Sequence, residues 1–531
     1  MLVPYYPNSP SMLQTYQRYA VLLFLIISHG LAAQRVMYSP VIDGRSVLRF
    51  MVAGKAGDYY WMHKEERKRR IPRQAEEWMK EEQSFDIYDA RLQLLNTVPA
   101  AAITASTLKK YLVCGNRFFD ELVLQANLQQ TVLRLRRYRA DGVLLADSMI
   151  AQFPFAEPGH RFIMVASADK TKTLLLGFES VPSSAPRLHA IIFDDNWKEM
   201  SSHVFEHPFI TQPFIQDDFF CFPSAINNAP VQLANNGEWL MASPSRTSNN
   251  FLLLHFDGSS NNITYKEIIL PPLYKMEDIA LSVNNEKGEA FAGILSRYRQ
   301  SAHKDVHVTH YSFSGDVFDF DSSYRFSTLA GIQSKENNLV KESFIAVPDM
   351  GFMLLKEYGR TNNKWYNETN YDRPWDTEFL LANNTITNTP VHFPINTNGY
   401  SRYSNTGAIS DNYDRGDLSL FYFPGHSADS CWSGFINKKQ ITELNAPALS
   451  YLFVPLQDKL VFMYNSVERD EDPFGCTLVL DPRGNQLSDR EVISWKSDQS
   501  LLWQQSLQIT KNEVAVPYSR NQRKGFAIIR F

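Results

Sequence analysis

Aromatic and charged side chains concentrate in one long insertion of this 531-residue chain. The insertion covers residues 359–376 (GRTNNKWYNETNYDRPWD) and continues in residues 396–407 (NTNGYSRYSNTG). Flat aromatic faces stack on sugar rings or apolar side chains, and nearby Asp, Arg and Asn groups fix the orientation of a ligand. We therefore predict that this segment binds a carbohydrate or a peptide. The candidate binding residues are Trp365, Tyr366, Tyr371, Asp372, Arg373, Trp375, Asp376, Arg402 and Tyr403.

Two other interpretations of the same segment stay open. The aromatic side chains can instead fold back and cover an exposed end of a sheet. Alternatively, paired carboxylates can act as acid and as nucleophile or base in a glycosidase or lyase, which requires them about 5 to 9.5 Å apart. The sequence contains no nucleophile elbow, P-loop, HExxH or dinucleotide fingerprint. The candidate carboxylates are Asp372, Asp376, Asp411 and Asp414.

Metal ligation is not predicted by the histidine and acidic clusters. In HKDVHVTH, His307 and His310 are three positions apart and point to opposite faces of a strand, while His303 precedes them. The acidic run at residues 411–417 (DNYDRGD) has a tyrosine and an arginine where a calcium loop needs oxygen ligands. We predict a solvated turn at this run, and we expect neither a metal nor a cofactor.

The overall composition limits the kinds of molecule that this protein is expected to bind. Aromatic residues make up 13% of the chain, which favours β-structure. The formal net charge is −4, too small to attract nucleic acid or an anionic membrane. The basic run at residues 64–73 is followed by four glutamates, so we expect it to be solvated and self-paired. Residues 72–83 have the only helical pattern after the N-terminus and predict one or two surface turns of helix.

The N-terminus has the pattern of a cleavable export signal. Arg18 precedes an apolar run at residues 20–27, and small residues follow up to Ala33. This run is too short to span a bilayer. We predict a signal peptide at residues 1–33 and a secreted or periplasmic protein. The four cysteines show no CxxC spacing, and we expect mostly buried thiols.

Short strands separated by turn residues must position these candidate sites. The stretch RYRADGVLLAD, residues 137–147, predicts two strands joined at Asp141-Gly142. The same pattern recurs in HFDGSSNNITYKEI, YSFSGDVFDFD and VLDPRGNQLSD. The strands form groups of four that start roughly 50 to 70 residues apart, near the periods of propellers and repeat arrays.

This repeat pattern resembles that of β-propeller proteins, although it matches no named propeller family. We count nine candidate groups, but propellers typically have about four to eight blades. The resemblance implies an all-β fold over residues 34–531, a single β-propeller of about eight four-stranded blades, with seven to nine compatible. The last group, residues 504–531, lacks a fourth strand, and residues 35–42 are predicted to supply it and close the ring. Two stacked β-sandwich domains are the structural alternative.

These patterns together favour an exported, non-enzymatic propeller that acts as a monomer. We expect it to bind a carbohydrate or protein ligand through loops on one face of the ring. An extracellular carbohydrate-active enzyme with paired carboxylates on that face is the alternative. The sequence specifies neither the ligand nor a catalytic residue.

Overall fold

The structure is a computed structural model. Its described residues form β-strands and the turns between them, with little helix. Trp503–Gln505 forms a 3₁₀ turn. No helix in the described part of the chain is long and apolar enough to cross a membrane. The structure describes residues 35–44, 47–69, 79–158, 161–180, 185–206, 220–221, 230–244, 251–257, 263–270, 272–298, 304–312, 319–327, 339–347, 350–366, 408–425, 431–436, 438, 440–442, 451–456, 458–466, 474–487, 491–493, 500–510, 512–520 and 523–531.

The strands form eight sheets, here called blades 1 to 8, which follow one another around a ring. One hydrophobic cluster joins blades 8, 1 and 2, and six further clusters join each later pair of neighbours up to blades 7 and 8. The core is therefore a closed circle of seams between blades. The predicted single eight-bladed β-propeller is confirmed, and the two-sandwich alternative is wrong.

Blades 1 to 4 each contain four antiparallel strands in chain order, and blade 2 has a short fifth strand on its inner edge. Blade 1 has β3 (Val47–Ala56), β4 (Tyr59–Arg69), β5 (Met79–Tyr88) and β6 (Leu94–Pro99). Blade 2 has β7 (Thr107–Cys114), β8 (Phe118–Ala126), β9 (Thr131–Arg139) and β10 (Leu144–Phe153). Blade 3 has β11 (Phe162–Ala166), β12 (Lys172–Glu179), β13 (Arg187–Asp194) and β14 (Glu199–Glu206). Blade 4 has β16 (Val231–Leu233), β17 (Trp239–Pro244), β18 (Phe251–Phe256) and β19 (Ile263–Ile268).

Blades 5 to 8 follow the same plan with additions in blades 6 and 8. Blade 5 has β20 (Tyr274–Asn284), β21 (Glu289–Tyr298), β22 (Lys304–Ser312) and β23 (Asp319–Ser327). Blade 6 has β24 (Leu339–Val347), β25 (Gly351–Tyr366), β26 (Ala408–Pro424), β27 (Trp432–Ile436) and β28 (Gln440–Thr442). Blade 7 has β29 (Tyr451–Pro455), β30 (Leu460–Ser466), β31 (Phe474–Leu480) and β32 (Glu491–Ile493). Blade 8 has β1 (Arg35–Tyr38), β2 (Ile42–Asp43), β33 (Ser500–Leu501), β34 (Leu507–Thr510), β35 (Glu513–Arg520) and β36 (Arg523–Arg530).

The first strand of each blade lies toward the ring axis and the fourth lies on the rim. First strands of neighbouring blades contact one another, as β3 does β7 and β20 does β24. Because strand direction alternates in an antiparallel sheet, the turns from first to second and from third to fourth strands share one face, here called the lower face. The connections from second to third strands, and from blade to blade, share the opposite, upper face.

The ring is closed by the N-terminal strand, as predicted. β1 pairs antiparallel with β36, from Arg35 opposite Arg530 to Tyr38 opposite Ala527. The Tyr518 hydroxyl donates a hydrogen bond of 2.7 Å to the carbonyl oxygen of Ser39. The rim strand of the last blade therefore comes from the beginning of the described chain.

Two of the nine predicted strand groups are one blade. The groups at residues 342–393 and 407–444 are joined in blade 6, because β25 pairs with β26 across the long insertion. The insertion separates these partners in sequence, so each half resembled a blade of its own.

The predicted helix at residues 72–83 is wrong over its described part. Met79 to Gln83 belong to β5, which pairs with β4 along its whole length. Strand pairing with β4 outweighs the helix preference of this glutamate-rich sequence. The ammonium group of Lys64, in the basic run, lies 3.2 Å from Asp86 and 3.5 Å from Glu66. Pairing of the run with the glutamates that follow it stays a prediction.

The lower face is built from the turns that the sequence predicted. Gly142 has φ +98°, and a Cβ atom there would lie 2.4 Å from Cδ1 of Ile87, so the turn between β9 and β10 requires glycine. Turns of three consecutive blades also bond to one another. The amide of Asp169 donates to Oδ1 of Asn235 at 3.1 Å, and the amide of Asn235 donates to Oδ1 of Asn285 at 2.7 Å.

Thiols occur at Cys114, Cys431 and Cys476. Burial raises the pKa of Cys114 to about 12. This thiol therefore stays protonated at neutral pH and packs as a small apolar group.

Candidate functional site

Two hairpins extend the upper face beyond the blades that carry them. In blade 1, β4 and β5 stay paired up to Arg69 and Met79, past the start of β3. In blade 6, β25 and β26 stay paired up to Tyr366 and Ala408, past the start of β24. Both hairpins connect a second strand to a third strand, so both rise from the same face.

The extension of blade 6 is a three-stranded structure, here called the arm. It consists of residues 359–366 of β25, residues 408–415 of β26, and β28. β28 pairs with β26 from Tyr413 to Arg415. β26 is therefore flanked on both sides at the base of the arm.

Two of the predicted binding residues lie at the far end of the arm. Trp365 pairs with Ile409 and Tyr366 pairs with Ala408 in the backbone ladder. The two are consecutive residues of one strand, and a common site with the others stays a prediction. The predicted binding residues outside the described part of the chain are Tyr371, Asp372, Arg373, Trp375, Asp376, Arg402 and Tyr403.

The acidic run at residues 411–417 is a strand, so the predicted solvated turn is wrong. Asp411 and Asp414 belong to β26 and pair with β25. Backbone pairing to strands on both sides explains why this acid-rich run is extended. The two residues are three positions apart on an extended strand, a separation of about 10 Å along the backbone. Asp372 and Asp376 lie outside the described residues.

A charged layer lies at the root of the arm. Lys356 and Glu357 are consecutive on β25, so they point to opposite faces of the blade. The ammonium of Lys356 lies 3.4 Å from Oε2 of Glu342, and Glu357 pairs with Lys438. The sequence carried a signal for this layer, because a Lys-Glu pair interrupts the apolar run FMLL in β25.

On the blade 7 side, the root contains a fully buried ion pair. Nζ of Lys438 lies 2.5 Å from Oε1 of Glu357, with side-chain exposures of 0% and 1%. The Lys438 ammonium is 6.0 Å from the ring centroid of Tyr451. Burial, and to a lesser extent the charge of Glu357, raises the pKa of the Tyr451 hydroxyl well above its ordinary value. No spacing rule in the sequence pointed to Lys438.

On the blade 5 side, the layer is more open. Lys304 pairs with Glu342 and lies 2.5 Å from Oε2 of Glu277. Burial lowers the pKa of Lys304, but the charge of Glu342 and the bond to Glu277 outweigh it, so the net shift is upward. This lysine therefore stays charged and bridges blade 5 to blade 6.

Asp278 lies beside this bridge on the axis-lining strand of blade 5. The side chain keeps contact with solvent. Burial, opposed by the amide of Ile279 that donates to it, raises the pKa of Asp278 to about 6. A carboxyl group with a raised pKa is a common property of functional sites and of structural ion networks alike. Asp278 keeps contact with solvent and lies beside the Lys304 bridge, so we assign it to this ion network.

His307 and His310 of blade 5 lie on opposite faces of the blade. The ring of His307 packs edge-on against Tyr274, whereas the ring of His310 stacks on Phe291 at 5.0 Å. These contacts lie on the two opposite faces of the blade, as predicted. His303 lies outside the described residues. Within the described residues, no group of three or more metal-binding side chains occurs.

The inner edge of blade 2 is occupied by another part of the chain. β15 (Phe220–Cys221), from the connection between blades 3 and 4, pairs parallel with β7 at Lys110 and Tyr111. A two-residue strand leaves no recognisable pattern in sequence, so this contact was not predicted. The inner edge of blade 2 is therefore covered by another segment of the same chain.

Known proteins resemble this chain in fold only. No protein-family model and no curated protein matches the chain. The WD40 domain of SCAP from fission yeast aligns with 8% identity and a TM-score of 0.39, covering 94% of this chain and 98% of that chain. An oligogalacturonate lyase in complex with manganese aligns with 10% identity and a TM-score of 0.33, covering 94% and 97%. The β-propeller domain of the Trilobed protease from Pyrococcus furiosus aligns with 9% identity and a TM-score of 0.29, covering 80% and 94%.

Proposed function

We propose that this protein is an exported, non-enzymatic β-propeller that binds a carbohydrate or protein ligand as a monomer. The binding site is the arm with the adjoining loops of the upper face. One observation carries the proposal: a hairpin of blade 6 continues beyond its blade and leads to Trp365 and Tyr366. A rigid scaffold that presents a variable loop is a common way in which one fold acquires different binding functions.

The residue types of the insertion support this class of ligand. Aromatic side chains alternate with Asp, Asn and Arg from residue 359 to residue 376, a mixture suited to sugar or peptide recognition. The net charge of −4 offers no field for nucleic acid.

The test is binding by a chain that lacks the insertion carried by the arm. Replacing residues 367–407 by Asn-Gly joins Tyr366 to Ala408, which already face each other in the ladder, by a two-residue hairpin turn. Residues 34–531 and the shortened variant are applied to a glycan array and to a peptide array. We expect the parent chain to bind a defined set of ligands and the variant to lose at least about tenfold in affinity.

Blade 1 supplies a matched control. Replacing residues 70–78 by Asn-Gly shortens the other long upper-face hairpin, because Arg69 faces Met79. We expect this variant to retain the affinity of the parent chain. Equal binding by all three proteins would refute a site on the insertion at residues 367–407. Turnover of a bound glycan, abolished by Asp411→Asn or Asp414→Asn, would instead support the carbohydrate-active enzyme.

Export is tested separately. Expression of the full chain in a secreting host, followed by N-terminal sequencing, is expected to give an extracytoplasmic protein that begins at Gln34. Retention of residues 1–33 on a cytoplasmic product would overturn the export part of the proposal and leave the binding part unaffected.

A further inference from the structure

The sheet of blade 6 is interrupted at one level across three of its strands. Glu357 pairs with Leu418, but the next pair is Gly359 with Arg415, so one residue of β25 lies opposite two residues of β26. The fourth strand is broken at the same level into β27 and β28. A bulge of this kind bends a strand and interrupts its ladder. The arm therefore meets the ring at a bend.

A buried ion pair crosses this break. Lys438 lies between β27 and β28, and its ammonium bonds to Glu357 of β25 in a position closed to solvent. Directly below the pair, Leu355 and Leu418 pack in the apolar seam between blades 6 and 7. The pair thus connects the second strand of the blade to its fourth strand, at the upper limit of the apolar core.

The surroundings make this pair sensitive to the loss of one partner. Removing one charge of a buried pair leaves the other charge uncompensated, whereas replacing both by apolar side chains of similar volume is often tolerated. Water can hydrate Glu357 if the short segment that carries Lys438 moves away. That segment leads directly into β28, which flanks β26 in the arm. Loss of the pair should therefore release the arm before it opens the ring.

We infer that Glu357 and Lys438 are positioning residues that hold the arm in one direction above the ring. For ligand binding the inference rests on the proposed function, since an arm held in one direction loses less conformational freedom when a ligand binds. The role of the ion pair in orienting the arm does not depend on that function.

Hydrogen exchange of the mature chain tests the inference without a ligand. In Lys438→Met, we expect amides of residues 359–366 and 408–415 to exchange at least about tenfold faster than in the parent. Amides of the lower half of β25, from Phe352 to Leu355, should keep their parent rates. The double variant Glu357→Leu, Lys438→Met should restore slow exchange in the arm, because it removes both charges of the pair together.

A second buried pair provides the matched control. Nζ of Lys110 lies 2.9 Å from Oε1 of Glu121, and both side chains are 0% exposed. Lys110→Met should destabilise the seam between blades 1 and 2 and leave exchange in the arm unchanged. Parent rates in the arm of Lys438→Met, or equal acceleration in the arm and in Phe352 to Leu355, would overturn the inference.

The affinity for ligands identified on the glycan and peptide arrays provides an independent measurement. If the arm binds the ligand, Lys438→Met weakens binding and the double variant restores it. Altered exchange without any change in affinity would leave the positioning role intact and refute the arm as the binding site. If Lys438→Met fails to fold, Glu357→Gln replaces it, because the amide removes one charge of the pair and should speed exchange in the arm but not in Phe352 to Leu355.

Discussion

Blades 3 and 6 have the same order of strands but differ in the length and register of their second strand. In blade 3, the second strand β12 has 8 residues and pairs with β13 without a register shift. In blade 6, the second strand β25 has 16 residues, and its ladder with β26 shifts at the bulge after Glu357. The lower half of β25 packs between neighbouring blades as β12 does, while its upper half continues past β24. One strand thus serves the ring with one half and the arm with the other.

If the lower half of β25 is an ordinary blade strand, its core residues should matter as much as those of blade 3. Leu176 in β12 and Leu355 in β25 are both 0% exposed. Leu176→Ala and Leu355→Ala should each lower the free energy of unfolding by about 2 to 5 kcal/mol, because each leaves a cavity in a seam. Chemical denaturation measures both losses. A loss below about 1 kcal/mol for Leu355→Ala alone would show that blade 6 contributes little to the ring.

The seams beside the two blades can be compared by adding a methyl group. A Cβ atom at Gly293 would lie 2.8 Å from the ring of Phe352 in blade 6, whereas at Gly177 its three nearest atoms lie at 3.1 Å. Gly293→Ala should therefore cost about 1 to 3 kcal/mol, and Gly177→Ala less. Thermal unfolding of the two variants gives the order. The reverse order would mean that the blade 5–6 seam is the looser one.

The charged layer beside blade 6 should respond to pH through Asp278. Its pKa is raised to about 6, so the folded state binds this proton more tightly than the unfolded state. Its contribution to stability therefore falls as pH rises from the unfolded pKa toward about 6. Asp278→Asn should stabilise the protein at neutral pH, by less than about 1 kcal/mol because the group keeps contact with solvent. Below about pH 4 the variant and the parent should unfold alike.

An exposed aspartate gives the control of opposite sign. The side chain of Asn485 donates to Asp481 and lowers the pKa of its carboxyl group. Asp481→Asn should therefore reduce stability at neutral pH and have less effect in acid. If both substitutions changed stability in the same direction at neutral pH, the pKa shift of Asp278 would not be the cause of its effect.

The smallest effect on stability is expected from removal of the insertion that the arm carries. The variant with residues 367–407 replaced by Asn-Gly retains every described pair of β25 with β26. Its free energy of unfolding should differ from the parent value by less than about 1 kcal/mol, because no described core residue is removed. Differential scanning calorimetry compares the two chains. A large loss would show that the insertion is part of the ring's core.

Much of the ring was predictable from sequence because its determinants are local. Alternating apolar residues and turn residues such as Asp141-Gly142 specify each hairpin, and the missing fourth strand of the last group indicated the closure by residues 35–42. The division of blade 6 was not predictable, because the insertion separates β25 from its partner. The candidate site was predicted only as residue types. Its root depends on Lys438 meeting Glu357, a pairing of distant positions that no local pattern encodes.

The closing strand has a consequence for the order of events in synthesis. Ser39 and Tyr518, which bond beside this strand, are 479 positions apart. The strand is made before every other described strand, and its partner β36 is made after them. Its hydrogen-bonding edge toward β36 therefore stays unsatisfied until β36 has been made. Contacts of such long sequence separation form slowly, so a chain cut short by even one strand leaves an open ring with two exposed edges.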